Sequence, residues 1–162
     1  MTDPVETAAQ RYAQLQRSLV GLFAGEDDFI ANTANFAALI FATLPDLNWA
    51  GFYFLRGREL VLGPFQGRPA CVRIALSRGV CGASAVQRAT VRVPDVHAFP
   101  GHIVCDVASR SELAVPLIKD GRLVGVFDLD SPSSARFDSA DQAAIEAAVA
   151  TLLAASRIEA PV

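Results

Sequence analysis

The sequence has little of several features that mark other classes of protein. It has only three cysteines in 162 residues, and this low, odd number argues against a secreted disulfide scaffold. No apolar run approaches the ~20 residues that a membrane-spanning helix requires. The 14 Lys and Arg and the 17 Asp and Glu are spread along the chain, so no basic stripe is available for nucleic acid. The sequence therefore predicts neither a nucleic-acid partner nor a membrane.

The composition that is present is that of one globular domain. Hydrophobic residues make up 52% of the chain and charged residues 19%, with a net charge of −3. A chain of this size can bury a sizeable core without disulfides or a structural metal. The segment Met1–Glu6 carries acidic residues where a signal peptide is basic, and no apolar segment follows it. We therefore expect a cytoplasmic protein.

Apolar residues at steps of three and four predict helices near both ends of the chain. The first is expected over Val5–Phe23. A second follows a cap at Asp27 or Asp28 and ends at Pro45, which cannot continue a helix. A last helix opens at Asp138.

Alternating and continuous apolar runs predict strands between these helices. The predicted strands are Asn48–Phe54, Glu59–Phe65, Cys71–Leu76, Thr90–Pro94, Leu113–Ile118 and Leu123–Asp130, with a short helix over Val80–Arg88. The last two strands flank an Asp-Gly pair, which is a strong hairpin signal. The pattern predicts an α+β domain with a mainly antiparallel central sheet. The N- and C-terminal helices are expected on one sheet face, with a ligand pocket on the other.

The segment between Pro94 and Glu112 has no clear periodicity and contains both histidines of the chain. Loops of this length inside compact domains are usually functional. We therefore expect it to contribute to the site.

The three cysteines, Cys71, Cys81 and Cys105, lie in segments rich in turn-forming and polar residues. A buried cysteine is commonly inert, but these contexts favour reactive thiols. Cys81 lies at a predicted helix start, where the helix dipole favours a thiolate. Cys105 follows His102 by three residues, so an imidazole could help to ionise or orient it.

A zinc site is a competing interpretation of the same residues. His97, His102 and Cys105, with Cys71 or Cys81, offer nitrogen and sulfur ligands for tetrahedral zinc. No Cys-x-x-Cys pair or compact knuckle is present, however. Loop hydrogen bonding is the simpler role for the two histidines, and we predict no metal.

A pair of carboxylates provides a second chemical feature. Asp128 and Asp130 are two residues apart on a predicted strand, so they project from one face. They could lie at an exposed strand end. If they instead face a pocket together, repulsion raises the pKa of one of them, which can then act as a proton donor.

Glu112 is a candidate third member whose placement depends on the hairpin register. A strict two-residue turn at Asp120-Gly121 pairs Glu112 with Leu129 and puts it on the face opposite the aspartates. Pro116 cannot donate to a ladder and could mark a bulge that shifts this register by one. The residues alone leave both placements open.

Trp49 and Tyr53 alternate with apolar residues on a predicted strand and share a face. Such a pair can wall a small apolar slot or simply fill a core.

The joint pattern resembles the free methionine-(R)-sulfoxide reductases, a family of GAF-domain enzymes. The segments that carry the resemblance are Gly63–Gly67, Pro69–Ile74, Gly79–Gly82, Asp95–Ile103 and Cys105-Asp106. It extends from about Asn48 to Ser131, covering about half of the chain. It implies a single GAF-like domain over 1–162, with an N-terminal helix in 1–25 and a GAF core in 26–158.

The resemblance also implies roles for individual residues. Cys105 matches the catalytic cysteine, Cys71 its resolving partner, and Cys81 a third cysteine that assists recycling. The carboxylates around the sulfoxide oxygen match Glu112, Asp128 and Asp130, which implies that Glu112 faces the site and that the strict hairpin register fails. Trp49 and Tyr53 match the aromatic wall around the substrate methyl group.

The expected activity is reduction of free methionine-(R)-sulfoxide through a cysteine sulfenic acid and an intramolecular disulfide. Thioredoxin is the implied reductant, no bound cofactor is required, and the resemblance favours a homodimer. The alternative is a GAF sensory module that binds a small ligand or senses oxidants through Cys71 and Cys105.

Overall fold

A computed structural model describes residues 6–103 and 105–158 of the chain. The four helices of this part are α1 (Ala8–Leu22), α2 (Phe29–Thr43), α3 (Gly79–Gln87) and α4 (Ser139–Ala155). The strands are β1 (Trp49–Arg56), β2 (Glu59–Gly67), β3 (Arg73–Ala75), β4 (Val91–Val93), β5 (Ser111–Lys119) and β6 (Arg122–Ser131). The predicted helix start at Val5 and the ends of the predicted domain, 1–5 and 159–162, lie outside the described residues.

The helix ends follow from local capping. Thr7 and Gln10 form a capping box at the start of α1, and Asp138 and Asp141 form one at the start of α4. The Asp28 carboxylate accepts a hydrogen bond from the Ala31 N–H at 2.7 Å and begins α2. The predicted second and last helices are confirmed, with Asp28 rather than Asp27 as the cap.

The six strands form one antiparallel sheet with the order β3-β2-β1-β6-β5-β4. The predicted third strand is shorter than expected, because only Arg73–Ala75 pair with β2. Cys71 therefore lies in an irregular segment before β3. The loop between β4 and β5 contains one turn of 3₁₀ helix at Val96–Ala98.

The two faces of the sheet carry separate apolar clusters. One face packs against α1, α2 and α4 through side chains such as Phe52, Phe127 and Leu129. The opposite face packs against α3 and the loop before β5 through a second cluster that includes Trp49, Tyr53 and Cys81. The predicted α+β class, the antiparallel sheet and the terminal helices on one face are confirmed. Among the described helices, none is long and apolar enough to cross a membrane.

The β5–β6 hairpin does not keep the register of its turn. Lys119 pairs with Arg122 across the turn, but the register shifts by one residue between Leu117 and Ile118. Glu112 consequently pairs with Asp130, not with Leu129. The strict register was wrong, because a bulge near the turn adds one residue to β6. Glu112 therefore lies on the same sheet face as the two aspartates.

Pro116 is not where the register shifts. It pairs with Val126 in β6, and its other side faces no strand because β4 ends at the Val91–Ala114 pair. The missing N–H of Pro116 therefore lies on an unpaired edge, where proline is tolerated.

Candidate active site

A pocket lies on the sheet face opposite the terminal helices. Strands β1, β5 and β6 form its floor, α3 and the loop before β5 form its sides, and the segment 68–70 covers one edge. The eight site residues predicted from the sequence lie together here. Seven of them line the pocket: Trp49, Tyr53, Cys81, Cys105, Glu112, Asp128 and Asp130. The eighth, Cys71, is bonded to Cys105 at its edge.

Cys71 and Cys105 are joined by a disulfide at the mouth of this pocket, with their Cα atoms 5.7 Å apart. The two cysteines are 34 residues apart in sequence. Each comes from an irregular segment, one before β3 and the other in the loop before β5. These segments approach each other without the constraint of a strand ladder, so the thiols can bond and separate with little change in the sheet.

Asn48 ties the Cys105 segment to the sheet. Its backbone N–H donates to the Asp130 carbonyl oxygen at 3.0 Å, at the start of β1. Its side-chain amide donates to the Asp106 carboxylate at 3.3 Å and to the Ser109 hydroxyl at 3.0 Å. One side chain therefore holds both Asp106 and Ser109, which lie just after Cys105.

The three carboxylates on the pocket floor come from adjacent strands. Glu112 of β5 and Asp128 of β6 are only 6% and 5% exposed. Asp130 lies between Glu112 and Trp49 in the sheet register, while the neighbours of Asp128 are Ala114 and Gly51. Gly51 makes room for the Trp49 ring, because a Cβ atom at Gly51 would lie 2.6 Å from that ring.

Burial dominates the acid–base behaviour of these groups. It raises the pKa of Asp128 from 3.8 to about 7. Burial, followed by repulsion from Asp128, also raises the pKa of Glu112 and the pKa of Asp130 well above their usual values. One or more of these carboxyl groups therefore keeps a proton near neutral pH, as a proton donor requires.

Cys81 departs from its sequence-based expectation. It is buried in the first turn of α3, and its Sγ lies 3.9 Å from Glu112 Oε1. Burial raises the pKa of its thiol, and the nearby carboxylates Asp128 and Glu112 raise it further. The prediction of a thiolate stabilised by the helix dipole was wrong here, because the buried acidic surroundings outweigh the dipole. The raised pKa favours the protonated thiol of Cys81 over the thiolate.

His102 belongs to the pocket; from the sequence it was a candidate to ionise or orient Cys105, a zinc ligand or a loop hydrogen-bonding residue. Its Nε2 lies 3.8 Å from Glu112 Oε2, and its side chain is 12% exposed. Burial lowers its pKa, and the neighbouring charge of His97 lowers it further. His102 is therefore largely neutral at pH 7.

Trp49 and Tyr53 both fill the core and wall the pocket, the two roles that the sequence left open. Their rings stack at a centroid distance of 5.8 Å, and both side chains are almost fully buried while lining the pocket. The Tyr53 hydroxyl donates to the Cys71 carbonyl oxygen at 3.1 Å, and the Trp49 indole N–H donates to the Arg68 carbonyl oxygen at 3.1 Å. The aromatic pair thus positions the segment that carries Cys71.

The zinc ligands considered from the sequence, which were His97, His102 and Cys105 with Cys71 or Cys81, do not form a metal site in this structure. Cys71 and Cys105 are bonded to each other, so neither is a thiolate ligand in this form, and His97 is exposed. Sequence reasoning also missed Asn48, Arg68 and Ser109 as pocket or supporting residues. Only Asp106 had a signal, its position directly after Cys105.

The chain is similar to proteins of a known family. Residues 4–156 match the GAF domain. The free methionine-R-sulfoxide reductase of Escherichia coli (strain K12) is 48% identical over 141 residues, covering 87% of this chain and 86% of that protein. The reductase of the same name from Saccharomyces cerevisiae is 42% identical, covering 82% of this chain and 78% of that protein.

The fold of this chain is also similar to that of a solved structure with the same name as these relatives. The X-ray structure of free methionine-R-sulfoxide reductase from Neisseria meningitidis in complex with its substrate has a TM-score of 0.90 and 39% identity, covering 96% of this chain and 93% of that chain. The chain therefore belongs to the GAF-domain family and, within it, to the free methionine-R-sulfoxide reductases.

Proposed function

We propose that this protein reduces free L-methionine-(R)-sulfoxide to L-methionine. The observation that carries the proposal is the Cys71–Cys105 disulfide at the mouth of a pocket whose floor holds three buried carboxyl groups. A sulfoxide reductase needs this combination: a thiol to take the oxygen, a second thiol to remove it, and an acid to activate the sulfoxide. The relatives and the substrate-bound neighbour provide independent support.

The first chemical step joins a nucleophile and an acid. The Cys105 thiolate attacks the sulfoxide sulfur while a neutral carboxyl group of the cluster protonates the sulfoxide oxygen. The oxygen then passes to Cys105, which becomes a sulfenic acid, and the substrate leaves as a thioether. The sulfoxide sulfur is reduced by two electrons, and the Cys105 sulfur is oxidised by two electrons.

The second step forms the observed disulfide. The Cys71 thiol attacks the Cys105 sulfenic acid, an S–S bond forms, and the oxygen leaves as water. The short Cα separation shows that the two segments already lie at bonding distance. Cys81 is buried beside the carboxyl groups and is the reserve thiol for recycling.

We assign the return to the dithiol form to thioredoxin, an external dithiol protein that reduces disulfides by exchange. Both electrons then come from this partner, and the reaction requires no bound metal, flavin or nicotinamide. The same assignment places the protein in the reducing cytoplasm.

The preference for a free amino acid follows from charge and enclosure. A free methionine sulfoxide carries an ammonium group, which can donate hydrogen bonds to the carboxyl oxygens of the Glu112, Asp128 and Asp130 cluster. A peptide-bound residue has no such charge, and its chain would have to leave a pocket bordered by α3 and the disulfide segments. The aromatic rings of Trp49 and Tyr53 provide the apolar wall for the methyl end.

The test of this function is consumption of racemic free methionine sulfoxide by the purified protein with excess dithiol reductant. We expect wild type to stop at half of the racemate and to release methionine, and Cys105→Ser to release none. In a single turnover without reductant, Cys71→Ser should match the wild-type yield but accumulate sulfenic acid. Equal yields from wild type and Cys105→Ser would contradict the assignment, and absence of turnover in folded wild type would favour a sensory module.

The thioredoxin partner and the homodimer are tested separately. Turnover with thioredoxin, thioredoxin reductase and NADPH should match that with a chemical dithiol; a protein active only with the chemical dithiol has another partner. The dimer is supported by exposed apolar side chains on α1, where Val20 is 59% and Leu22 is 39% exposed. Light scattering should give twice the 17.2 kDa mass of one chain, and Val20→Glu should shift the protein toward monomer.

A further inference from the structure

Cys81, Glu112 and Asp128 form a compact group of potential metal ligands on the pocket floor. One ligand atom from each of the three side chains lies within 4.8 Å of the other two. The three residues come from α3, β5 and β6, so rigid elements hold each of them. All three side chains are buried.

The spacing of these atoms is close to that of a tetrahedral zinc site. Zinc bonds of about 2.0–2.3 Å hold neighbouring ligand atoms about 3.3–3.8 Å apart. The Cys81 Sγ and Glu112 Oε1 atoms are 3.9 Å apart, so a small rotation of either side chain would bring both to bonding distance. His102 lies at the edge of this group, with its Nε2 3.8 Å from Glu112 Oε2, but it is not one of the three side chains whose ligand atoms lie within 4.8 Å of one another.

A second observation points to a bound cation. Asp128 Oδ1 is fully buried and has no hydrogen-bond partner in the described part of the chain, although its residue lines the pocket. An unpartnered buried carboxylate oxygen is costly, and a proton or a cation relieves that cost.

We propose that this protein binds one zinc-like divalent cation through Cys81, Glu112 and Asp128, and that this cation inhibits the enzyme. On binding, the Cys81 thiol gives its proton to solvent and the thiolate bonds to the metal. A sulfur ligand among oxygen ligands selects zinc over magnesium or calcium, which prefer oxygen alone.

Inhibition rests on the proposed function, because the same carboxyl groups would contact the sulfoxide. A metal bound to Glu112 and Asp128 removes the proton donor and occupies the substrate space. Zinc and substrate should therefore exclude each other. Binding itself does not depend on the proposed activity and can be measured without turnover.

The experiment uses cobalt(II) as a coloured probe for zinc and the protein in its disulfide form. In that form Cys71 and Cys105 are bonded, so Cys81 is the one remaining thiol of the chain. We expect a cobalt–thiolate charge-transfer band in the near ultraviolet that saturates at one equivalent and disappears on addition of one equivalent of zinc. Magnesium at the same concentration should not displace the cobalt.

Matched variants distinguish this site from adventitious binding. Cys81→Ser should abolish the thiolate band, and Glu112→Gln and Asp128→Asn should each weaken zinc binding on the order of tenfold or more. Glu146→Gln, which changes an exposed acid on α4, should have no effect. A thiolate band that persists in Cys81→Ser, zinc affinity unchanged in all three site variants, or no saturable binding would each overturn the proposal.

A separate measurement tests the inhibition. Zinc should lower the initial rate of sulfoxide reduction, and raising the substrate concentration should reverse this effect. Zinc binding that leaves the rate unchanged would overturn the inhibitory role. Failure of turnover without zinc would contradict the proposed function instead, so the two failures are distinguishable.

Discussion

At the scale of the residue, burial controls the chemistry of the pocket. Glu112 and Asp128 lie at the floor of the site, and Asp130 and Cys81 beside them share the same enclosed surroundings. Desolvation is the largest cause of the raised pKa of each of these four groups. The protein thus keeps acids protonated near neutral pH, which an exposed carboxyl group would not be.

We predict that Asp128→Asn slows the reduction step about 100-fold or more, because general acids typically contribute that much to a rate. The wild-type single-turnover rate should fall as the pH rises through about 7, where Asp128 loses its proton. Rapid-quench measurements of methionine release between pH 5.5 and 9 test this. A wild-type pH profile retained by Asp128→Asn would show that another group is the donor, and Glu146→Gln is the control.

Asp128→Asn should slow the reaction but increase the stability of the folded protein near neutral pH. The pKa of Asp128 is raised from 3.8 to about 7 in the folded protein, so the folded state holds a proton that the unfolded state releases. Its contribution to stability is therefore full below about pH 4 and is lost as the pH rises through about 7.

Asp128→Asn removes the ionisable group, so the variant does not lose this stability as the pH rises. The free energy of unfolding of the variant, relative to wild type, should increase by up to about 4 kcal/mol between pH 4 and pH 8. Urea titrations at the two pH values measure the difference. A difference that is independent of pH would contradict the raised pKa.

Tyr53 offers a second prediction for a single residue. Its hydroxyl holds the Cys71 carbonyl oxygen, and such a hydrogen bond contributes about 1 kcal/mol. Tyr53→Phe should therefore slow formation of the disulfide roughly fivefold while changing sulfenic acid formation less. Stopped-flow trapping of the sulfenic acid separates the two steps. Equal slowing of both would indicate that Tyr53 acts on the substrate rather than on the Cys71 segment.

At the scale of the element, the β5–β6 hairpin decides which residues face the pocket. Its bulge next to the turn moves Glu112 to the face of Asp128 and Asp130. Gly125 lies at this irregularity, opposite Phe54 on one side and Leu117 on the other. A Cβ atom at Gly125 would lie 2.2 Å from the Tyr53 carbonyl oxygen, so β1 and β6 approach too closely for any side chain there.

Gly125→Ala should therefore destabilise the protein by about 1–3 kcal/mol or more, because backbone atoms must move to admit the methyl group. Gly21→Ala is a matched control in helix α1, where a Cβ atom meets nothing within 4 Å. That variant should be stabilised by about 0.5–1 kcal/mol, since alanine is favoured in helices. Thermal unfolding of both variants is the measurement, and an unchanged Gly125→Ala protein would contradict the close strand contact.

At the scale of the whole molecule, the disulfide links two distant segments and couples redox state to stability. It closes a loop with a sequence separation of 34 residues. In the chain-entropy model, a loop of this length corresponds to about 4 kcal/mol. We predict that the oxidised protein is more stable than the reduced protein by up to that free energy and therefore unfolds at a higher temperature. Calorimetry with and without a phosphine reductant tests this, and Cys71→Ser should not respond to the reductant.

The sequence by itself predicted the fold class and most elements. Apolar periodicity located the helices and the long strands, because burial of one helix stripe or one sheet face leaves a regular pattern in the chain. Local capping residues such as Asp28 and Asp138 marked the helix starts for the same local reason. The motifs around Cys71, Cys81 and Cys105 indicated the family that the comparisons confirmed.

Only the tertiary structure decided how these residues act together. It placed Glu112 beside the aspartates through a one-residue bulge and joined Cys71 to Cys105, as the family resemblance implied and the residue patterns alone left open. It also raised the pKa of Cys81 where the helix start alone favoured a thiolate. It also brought Asn48 and His102 to the site. These outcomes depend on register and burial, which arise from contacts between segments far apart in sequence. A local pattern carries the first kind of information because it reflects neighbours along the chain, whereas strand register and desolvation are properties of the packed molecule.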